Sequence, residues 1–239
     1  MTSSVRRLLA GFALFATEFA LILAIGTAGV VVFLLLGRQV LGDGQLDFDE
    51  GAFTWSHWFL GEASRQWVDF ITFLASRNFI IAAALSVIGY FLLIRQHRWY
   101  SLKVPVVALG SITLNLLLKN FYNRPRPLLP LTSASGLSFP SGHAMISASF
   151  YGLLIYLTWQ HVENRSLRWL LTVLLTALIL LIGLTRVYLR VHYASDVLAG
   201  FMAGTLWLLI ALPLLNRLER LIKRRVRSAA PGPSVLPVE

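Results

Sequence analysis

Long uncharged apolar blocks separate short charged segments along this chain. The first block runs from about Leu8 to Gly37, with Glu18 as its only charge. Arg77 and Arg95 bracket 17 uncharged residues, Lys103 and Lys119 bracket 15, and His143 and His161 enclose 17. Arg168 and Arg186 enclose another 17, and Asp196 and Arg217 enclose 20. An α-helix crosses the hydrocarbon layer with roughly 17–25 such residues. The pattern predicts an all-α fold, an integral membrane bundle of six transmembrane helices. The short third block is accommodated by lysines that snorkel outward on their aliphatic stems. The first block is too long for the apolar core of a cleavable signal peptide, so it reads as an uncleaved span.

Between the first two spans, Trp55, Trp58, Phe59, Trp67, Phe70, Phe73 and Leu74 fall at spacings that suit one or two short amphipathic helices lying at the interface. An aromatic anchoring belt is favoured there over a substrate gate. Gly200 and Gly204 form a GxxxG in the last span, read as close helix packing within the bundle rather than a dimer signal. Residues 1–227 make one membrane domain, and 228–239, with their Ala, Gly, Pro and Ser, are expected to be a disordered tail.

Composition sharpens this picture. Only 13% of the residues are charged, against roughly 25% in soluble domains, which excludes an ordinary water-soluble globule and a disordered chain. The net charge of +10 would raise nucleic acid as a partner in a soluble protein. Here it reads as membrane orientation plus contact with anionic lipid or phosphate, with no nucleic acid involved. The absence of cysteine excludes disulfides, thiolate metal sites and cysteine nucleophiles. Arg6 and Arg7, then Arg95, Arg98 and Lys103, then Arg165 and Arg168, then Arg217 to Arg227 all fall on one side of the six spans. That side, with both termini, is cytoplasmic by the excess of Lys and Arg. Six of the eleven acids lie in the opposite, extracytoplasmic segment between Arg38 and Arg77.

One basic set breaks the orientation rule. Lys119, Arg124, Arg126, Arg186 and Arg190 fall at the outer ends of the third and fifth spans, with His143, His192 and Asp196. Cations held against the topological preference point to a site. Lys119 is followed after six residues by Arg126-Pro127, and Pro125, Pro127 and Pro130 keep that segment extended. Pro140-Ser141-Gly142-His143 stands directly before an uncharged span. Ser141 suits a helix N-cap, the free amides there suit phosphate oxygens, and Gly142 lets the backbone come close. Arg186 is followed after five residues by His192 and then, four further on, by Asp196. A carboxylate at that spacing can take one imidazole nitrogen and leave the other free to attack.

These three elements, in this order, resemble the type 2 phosphatidic acid phosphatase superfamily, the lipid phosphate phosphatases, over roughly Lys119 to Asp196. The departure is Thr185, where that family usually has Ser. The resemblance implies a catalytic core at 104–216 in which His192 is the nucleophile, Asp196 orients it, and His143 protonates the leaving oxygen and then activates water. Lys119, Arg126 and Arg186, with the Ser141 hydroxyl and the Gly142 amide, would hold the phosphoryl oxygens without metal or other cofactor. The implied substrate is a lipid phosphomonoester or pyrophosphate: undecaprenyl pyrophosphate, phosphatidylglycerophosphate, phosphatidic acid or a lipid A phosphate. The implied place is a bacterial inner membrane, with the site at its extracytoplasmic face. The alternatives are transfer of the phosphoryl group from one lipid to another, and lipid transport without hydrolysis. The short loop from Leu128 to Phe139 suggests an open site without a large lid. Arg124 and Arg190 could hold a second phosphate, although interfacial snorkelling is favoured. Glu18 is balanced between a helix-packing hydrogen bond and a substrate-channel contact. His57, His97 and His161 carry no assigned role.

Overall fold

The computed structural model of the protein describes residues 3–42, 46–61 and 65–229, with the side chains of 11–13, 16–17, 20–21, 23–42, 46–61 and 65–225. The Glu18 side chain and residues 230–239 lie outside the described residues, and with them the expectations for a channel contact and for most of the tail. Among the described residues, eight α-helices follow in chain order: α1 (Ser3–Gly42), α2 (Asp47–Leu60), α3 (Arg65–Phe73), α4 (Arg77–Gly89), α5 (Arg98–Tyr122), α6 (Gly142–His161), α7 (Arg165–Tyr188) and α8 (Ala194–Ala229). A π-helical turn, Tyr90–Ile94, prolongs α4. No strand occurs among the described residues.

Helix α6 is the hub. It packs on α5, α7 and α8, while α1 lies against α8 and α4 against α5. Its close fit to α8 comes from the GxxxG pair. A Cβ at Gly200 would stand 2.7 Å from the Ser141 carbonyl oxygen, and one at Gly204 would strike that of Met145. These glycines therefore serve packing inside the bundle, where small residues let two backbones approach.

Five helical segments among the described residues are long and apolar enough to cross a membrane: Leu23–Gly42, Arg77–Ile94, Arg98–Tyr122, Arg165–Tyr188 and Ala194–Arg225. The sixth expected span, α6, is not among them. Its Ser147, Ser149 and Tyr151 are buried against other helices rather than turned to lipid. Ser149 Oγ donates to Ser111 Oγ of α5 at 2.8 Å, and Tyr151 Oη donates to the Leu74 carbonyl at 2.6 Å. A helix ringed by protein can carry polar groups that satisfy one another.

The snorkelling expected of Lys103 is corrected. Its side chain is 2% exposed and turns inward, 3.4 Å from Glu219 Oε2 and 4.3 Å above the Tyr100 ring. Outward reach is unnecessary, because α5 has 25 residues and spans about 37 Å.

The aromatic segment forms two short helices, α2 and α3. Trp55, Trp58, Phe59, Trp67 and Phe70 are exposed, whereas Phe53 and Val68 point inward. Phe53 joins Val187 and Val197, and Val68 joins Leu189 and Val191. Thr185, the residue that departs from the expected serine, keeps its hydroxyl in use. Its Oγ1 lies 2.7 Å from Thr72 Oγ1, in the last turn of α3, and donates to the Ile182 carbonyl.

Candidate active site

Three breaks in the helices meet at one end of the bundle. Helix α5 stops at Tyr122, where Asn123 turns into the left-handed region (φ 48°) and its amide closes on the Lys119 carbonyl at 2.9 Å. Asparagine tolerates that conformation better than most residues, and the prolines at 125, 127 and 130 then forbid renewed helix. The irregular segment 123–141 is pinned by backbone bonds. Ser138 donates to the Arg124 carbonyl at 2.8 Å, Leu131 to that of Leu189 at 3.0 Å, and Ser141 to that of Asp196 at 2.9 Å. The last bond ties the start of α6 to the start of α8.

His192 lies in the short link before α8 and is 2% exposed. Its Nδ1 stands 3.4 Å from Asp196 Oδ2 and 3.3 Å from Ser138 Oγ. Its Nε2 stands 3.3 Å from Arg126 Nη1. Asp196 is fully buried and heavily used. Oδ2 also accepts from the Tyr193 amide at 2.9 Å and from Ser138 Oγ, and Oδ1 accepts from Arg124 Nη1 at 2.7 Å. The carboxylate thus caps α8 and holds the histidine at the same time. Burial is the main reason that His192 titrates low, at about 4 instead of 6.5. Its bond to Asp196 opposes the shift, and the charges of Arg126 and Lys119 add to it. The ring is therefore neutral near pH 7, with Nδ1 facing a carboxylate and Nε2 facing cations.

The cations converge from separate elements. Arg126 is anchored by its own loop. Nε and Nη2 donate to the Gly136 and Ser135 carbonyls at 3.0 Å each, and Nη1 donates to that of Val191 at 2.7 Å. Lys119 Nζ donates to the Leu137 carbonyl and lies 3.4 Å from that of Ser138. Arg186 is 7% exposed, and its Nε has no hydrogen-bond partner. Its backbone carbonyl receives the His192 amide at 3.3 Å. Arg186, Arg126, Lys119 and His192 all act electrostatically on His143, in the first turn of α6. The structure thus brings together Lys119, Arg126, His143, Arg186, His192 and Asp196 from four helices and two loops.

Ser141 caps α6 as expected, with its Oγ 3.5 Å from the Ala144 amide, but it is fully buried. Gly142 abuts Asn115, whose Nδ2 holds the Pro140 carbonyl at 3.2 Å. A cleft of about 230 Å³ opens beside His143, lined by Ile80, Ile81, Ile112, Leu116 and Ile146 of α4, α5 and α6. It brings an apolar path to the edge of the cation cluster.

Of the two secondary candidates, Arg124 is corrected. Arg124 is 2% exposed and ion-paired with Asp49 and Asp196, so it neither snorkels nor faces the cluster with a free fork. Arg190 adopts φ 52° and lies over the Phe53 ring at 5.3 Å. It lines a separate cavity of about 650 Å³ with Glu50, Thr54, Leu129 and Tyr193. His57 stacks near Tyr188, and His97 and His161 stand near Tyr100. Sequence reasoning missed Asp49, Asn115, Ser138 and Ser195. For Asp49 the available hint was its place among three acids in the first turn of α2. The other three have no local pattern that marks them.

Comparison with known proteins identifies the family. The family model described as PAP2 superfamily matches residues 100–220. Phosphatidylglycerophosphatase B of Bacillus subtilis (strain 168) is 34% identical over 138 residues, covering 57% of this chain and 68% of that protein. A putative undecaprenyl-diphosphatase, YbjG, of Escherichia coli (strain K12) is 25% identical over 162 residues, 65% of this chain and 77% of the relative. The crystal structure of a transmembrane PAP2 type phosphatidylglycerolphosphate phosphatase from Bacillus subtilis superposes with a TM-score of 0.71 at 27% identity, covering 83% of this chain and 98% of the other.

Proposed function

This chain belongs to the PAP2 superfamily, and from that premise we propose that it is a membrane lipid phosphatase working through a phosphohistidine at His192. The observation that carries the proposal is the polarity of that ring: a carboxylate at Nδ1, cations at Nε2, and a neutral imidazole between them. In the first step Nε2 attacks phosphorus, and the bond from phosphorus to the lipid oxygen breaks. His143 gives the leaving oxygen its proton. Asp196 holds the Nδ1 proton and offsets the positive charge that grows on the ring. In the second step His143 takes a proton from water as the water oxygen attacks phosphorus. The phosphorus–nitrogen bond then breaks, releasing inorganic phosphate and neutral His192.

Lys119, Arg126 and the unpartnered Arg186 Nε supply fixed positive charge where the transferring oxygens lie, which is most of what phosphoryl transfer asks of a protein. A divalent cation would be repelled by these three groups, so we expect metal-independent turnover. The amides of Gly142 and His143, at the start of α6, add donors there. Ser141 acts through its cap. The apolar cleft beside His143 suits a substrate whose chains stay in the bilayer, and the candidates are phosphatidylglycerophosphate, undecaprenyl pyrophosphate and phosphatidic acid. The distribution of Lys and Arg supports placing this end of the bundle at the extracytoplasmic face of a bacterial inner membrane.

The test is phosphate release by purified protein in detergent over those three lipids, with quenching in alkaline dodecyl sulfate to trap the phosphoenzyme. Wild-type protein should release phosphate and yield an acid-labile adduct. His192→Ala should lose both, whereas His143→Ala should fall by about 10²–10⁴-fold and retain some adduct with a good leaving group. Substantial turnover by His192→Ala would overturn the mechanism.

A further inference from the structure

Asp49 plays no part in the mechanism above, yet it is among the most thoroughly bound side chains in the protein. It lies in the first turn of α2 beside Asp47 and Glu50. Those two are exposed, and an acid at a helix N-terminus needs no further reason than the helix dipole. Asp49 differs. It is fully buried, and both oxygens face the start of α8. Oδ1 accepts from the Ser195 amide at 2.9 Å, and Oδ2 accepts from Ser195 Oγ at 2.7 Å and from Arg124 Nη2 at 3.0 Å.

Arg124 continues the chain inward. Its Nη1 donates to Asp196 Oδ1 and to Ser195 Oγ, each at 2.7 Å, and its guanidinium carbon stands 4.0 Å from the centre of the Tyr193 ring. A planar fork with a carboxylate at either end and a ring against its face is held in one orientation. Asp196 needs such help. The terminal torsion of an aspartate is broad, so the carboxylate could swing while keeping its place on the backbone. With Arg124 holding Oδ1, Oδ2 is left to the Tyr193 amide, Ser138 Oγ and His192 Nδ1.

We propose that Asp49 and Arg124 are positioning residues for the nucleophile: Asp49 fixes Arg124, and Arg124 turns Asp196 so that its second oxygen meets His192. The proposal rests on His192 being the nucleophile. Charge follows the same geometry. Two carboxylates and one guanidinium leave a net single negative charge behind Nδ1. That charge opposes the positive charge the ring acquires when Nε2 is phosphorylated. A helix that would otherwise serve only as an outer cover thereby becomes part of the catalytic support.

The experiment compares full-length wild-type protein, Asp49→Asn, Arg124→Lys and Ser195→Ala, purified in detergent, with dioctanoyl phosphatidic acid as the probe. It measures kcat, KM, the acid limb of kcat/KM and thermal melting. The charged groups around His192 are Asp196 on α8, Arg126 and Arg124 on the loop, Lys119 on α5, His143 on α6 and Arg186 on α7. Asn at position 49 keeps the shape but removes a charge and one of the two acceptors. It should lower kcat by roughly 10–100-fold, less than the ~10⁴-fold that follows neutralising a histidine's direct carboxylate partner. KM should stay within about twofold. Loss of the negative charge makes the protonated ring less stable, so the acid limb should move to lower pH by about half a unit or more. Arg124→Lys keeps the charge but cannot span two carboxylates, so kcat should fall without that shift.

A merely structural loss would lower the active fraction and the melting temperature but leave the acid limb in place. Folded Asp49→Asn with wild-type kcat and an unmoved acid limb overturns the proposal. If Asp49→Asn does not fold, Ser195→Ala decides. It removes only the bridging hydroxyl and should lower kcat by about 3–10-fold, and unchanged kcat there overturns the proposal equally. Failure of the underlying mechanism is distinguishable, because it would appear as turnover by His192→Ala.

Discussion

Arg186 should be a residue whose removal harms activity and helps the fold. It is 7% exposed, its Nε has no partner, and among the described residues no carboxylate pairs with it. A buried donor left unsatisfied disfavours the folded state by about 1–3 kcal/mol, and the nearby charge of Arg126 adds repulsion. Methionine would fill much of the same volume with no charge, and a near-isosteric swap should itself cost less than about 1.5 kcal/mol. The balance for Arg186→Met is a gain of about 1 kcal/mol, or roughly 2–4 °C in melting temperature for a chain of this size.

Catalysis should move the other way. Removing one donor to a transition-state oxygen costs about 2.7–4 kcal/mol, so kcat should fall by roughly 10²–10³-fold. The assay pairs phosphate release in detergent with thermal melting, each with and without orthovanadate. At about 100 times its dissociation constant, vanadate should raise the wild-type melting temperature by about 5–10 °C and that of Arg186→Met by far less. A fall of several degrees in Arg186→Met would show that the guanidinium holds the fold, and the assignment to phosphate would be wrong.

Five further outcomes are expected. Activity should have an acid limb near the low value of His192, since protonating Nε2 removes the nucleophile: turnover should fall as pH drops through about 4. The unfolded chain takes up that proton more readily. The contribution of His192 to stability is therefore present above about 6.5 and is lost as pH falls through about 4, a trend to be followed by melting curves, with no acid destabilisation counting against the neutral buried ring. Exhaustive EDTA treatment should leave turnover unchanged, and loss restored by magnesium alone would refute the assigned charge stabilisers. Gly204→Ala should lower the melting temperature by an amount corresponding to about 1–3 kcal/mol, because its Cβ would strike the Met145 carbonyl, and an unaltered melt would contradict the close α6–α8 contact. Single cysteines can report sidedness because the chain has none: Ser135→Cys should react with an impermeant thiol reagent in spheroplasts and Arg95→Cys only after lysis, the opposite pattern reversing the orientation.

Much of the candidate site was legible in the chain because its chemistry is concentrated in short motifs. Lys119 and Arg126 sit either side of a helix end, and Ser141 to His143 open a helix. His192 and Asp196 lie four apart, close enough for their side chains to meet whatever the wider fold does. Apolar block lengths likewise exposed the spans, since crossing a bilayer is a matter of length and charge. Two kinds of feature were not legible. Helix α6 was read as a span like the others, yet its serines and tyrosine belong to an interior that only packing reveals. Lys103 was assigned to the interface by its position beside an apolar block, and its actual partner, Glu219, is 116 residues away in the sequence.

Hydrophobic length and local spacing are properties of contiguous residues, so the chain alone specifies a membrane bundle with cations, histidines and a carboxylate gathered at one set of helix ends. The tertiary structure alone decided which charges serve each other. Arg124 and Asp49 are 75 positions apart, and Asp49 and Ser195 are 146 apart. Whether such a cation snorkels, binds a ligand or locks two carboxylates depends on what the fold brings within about 3 Å of it. In a buried site, that contact distance governs charge energetics more strongly than residue identity does.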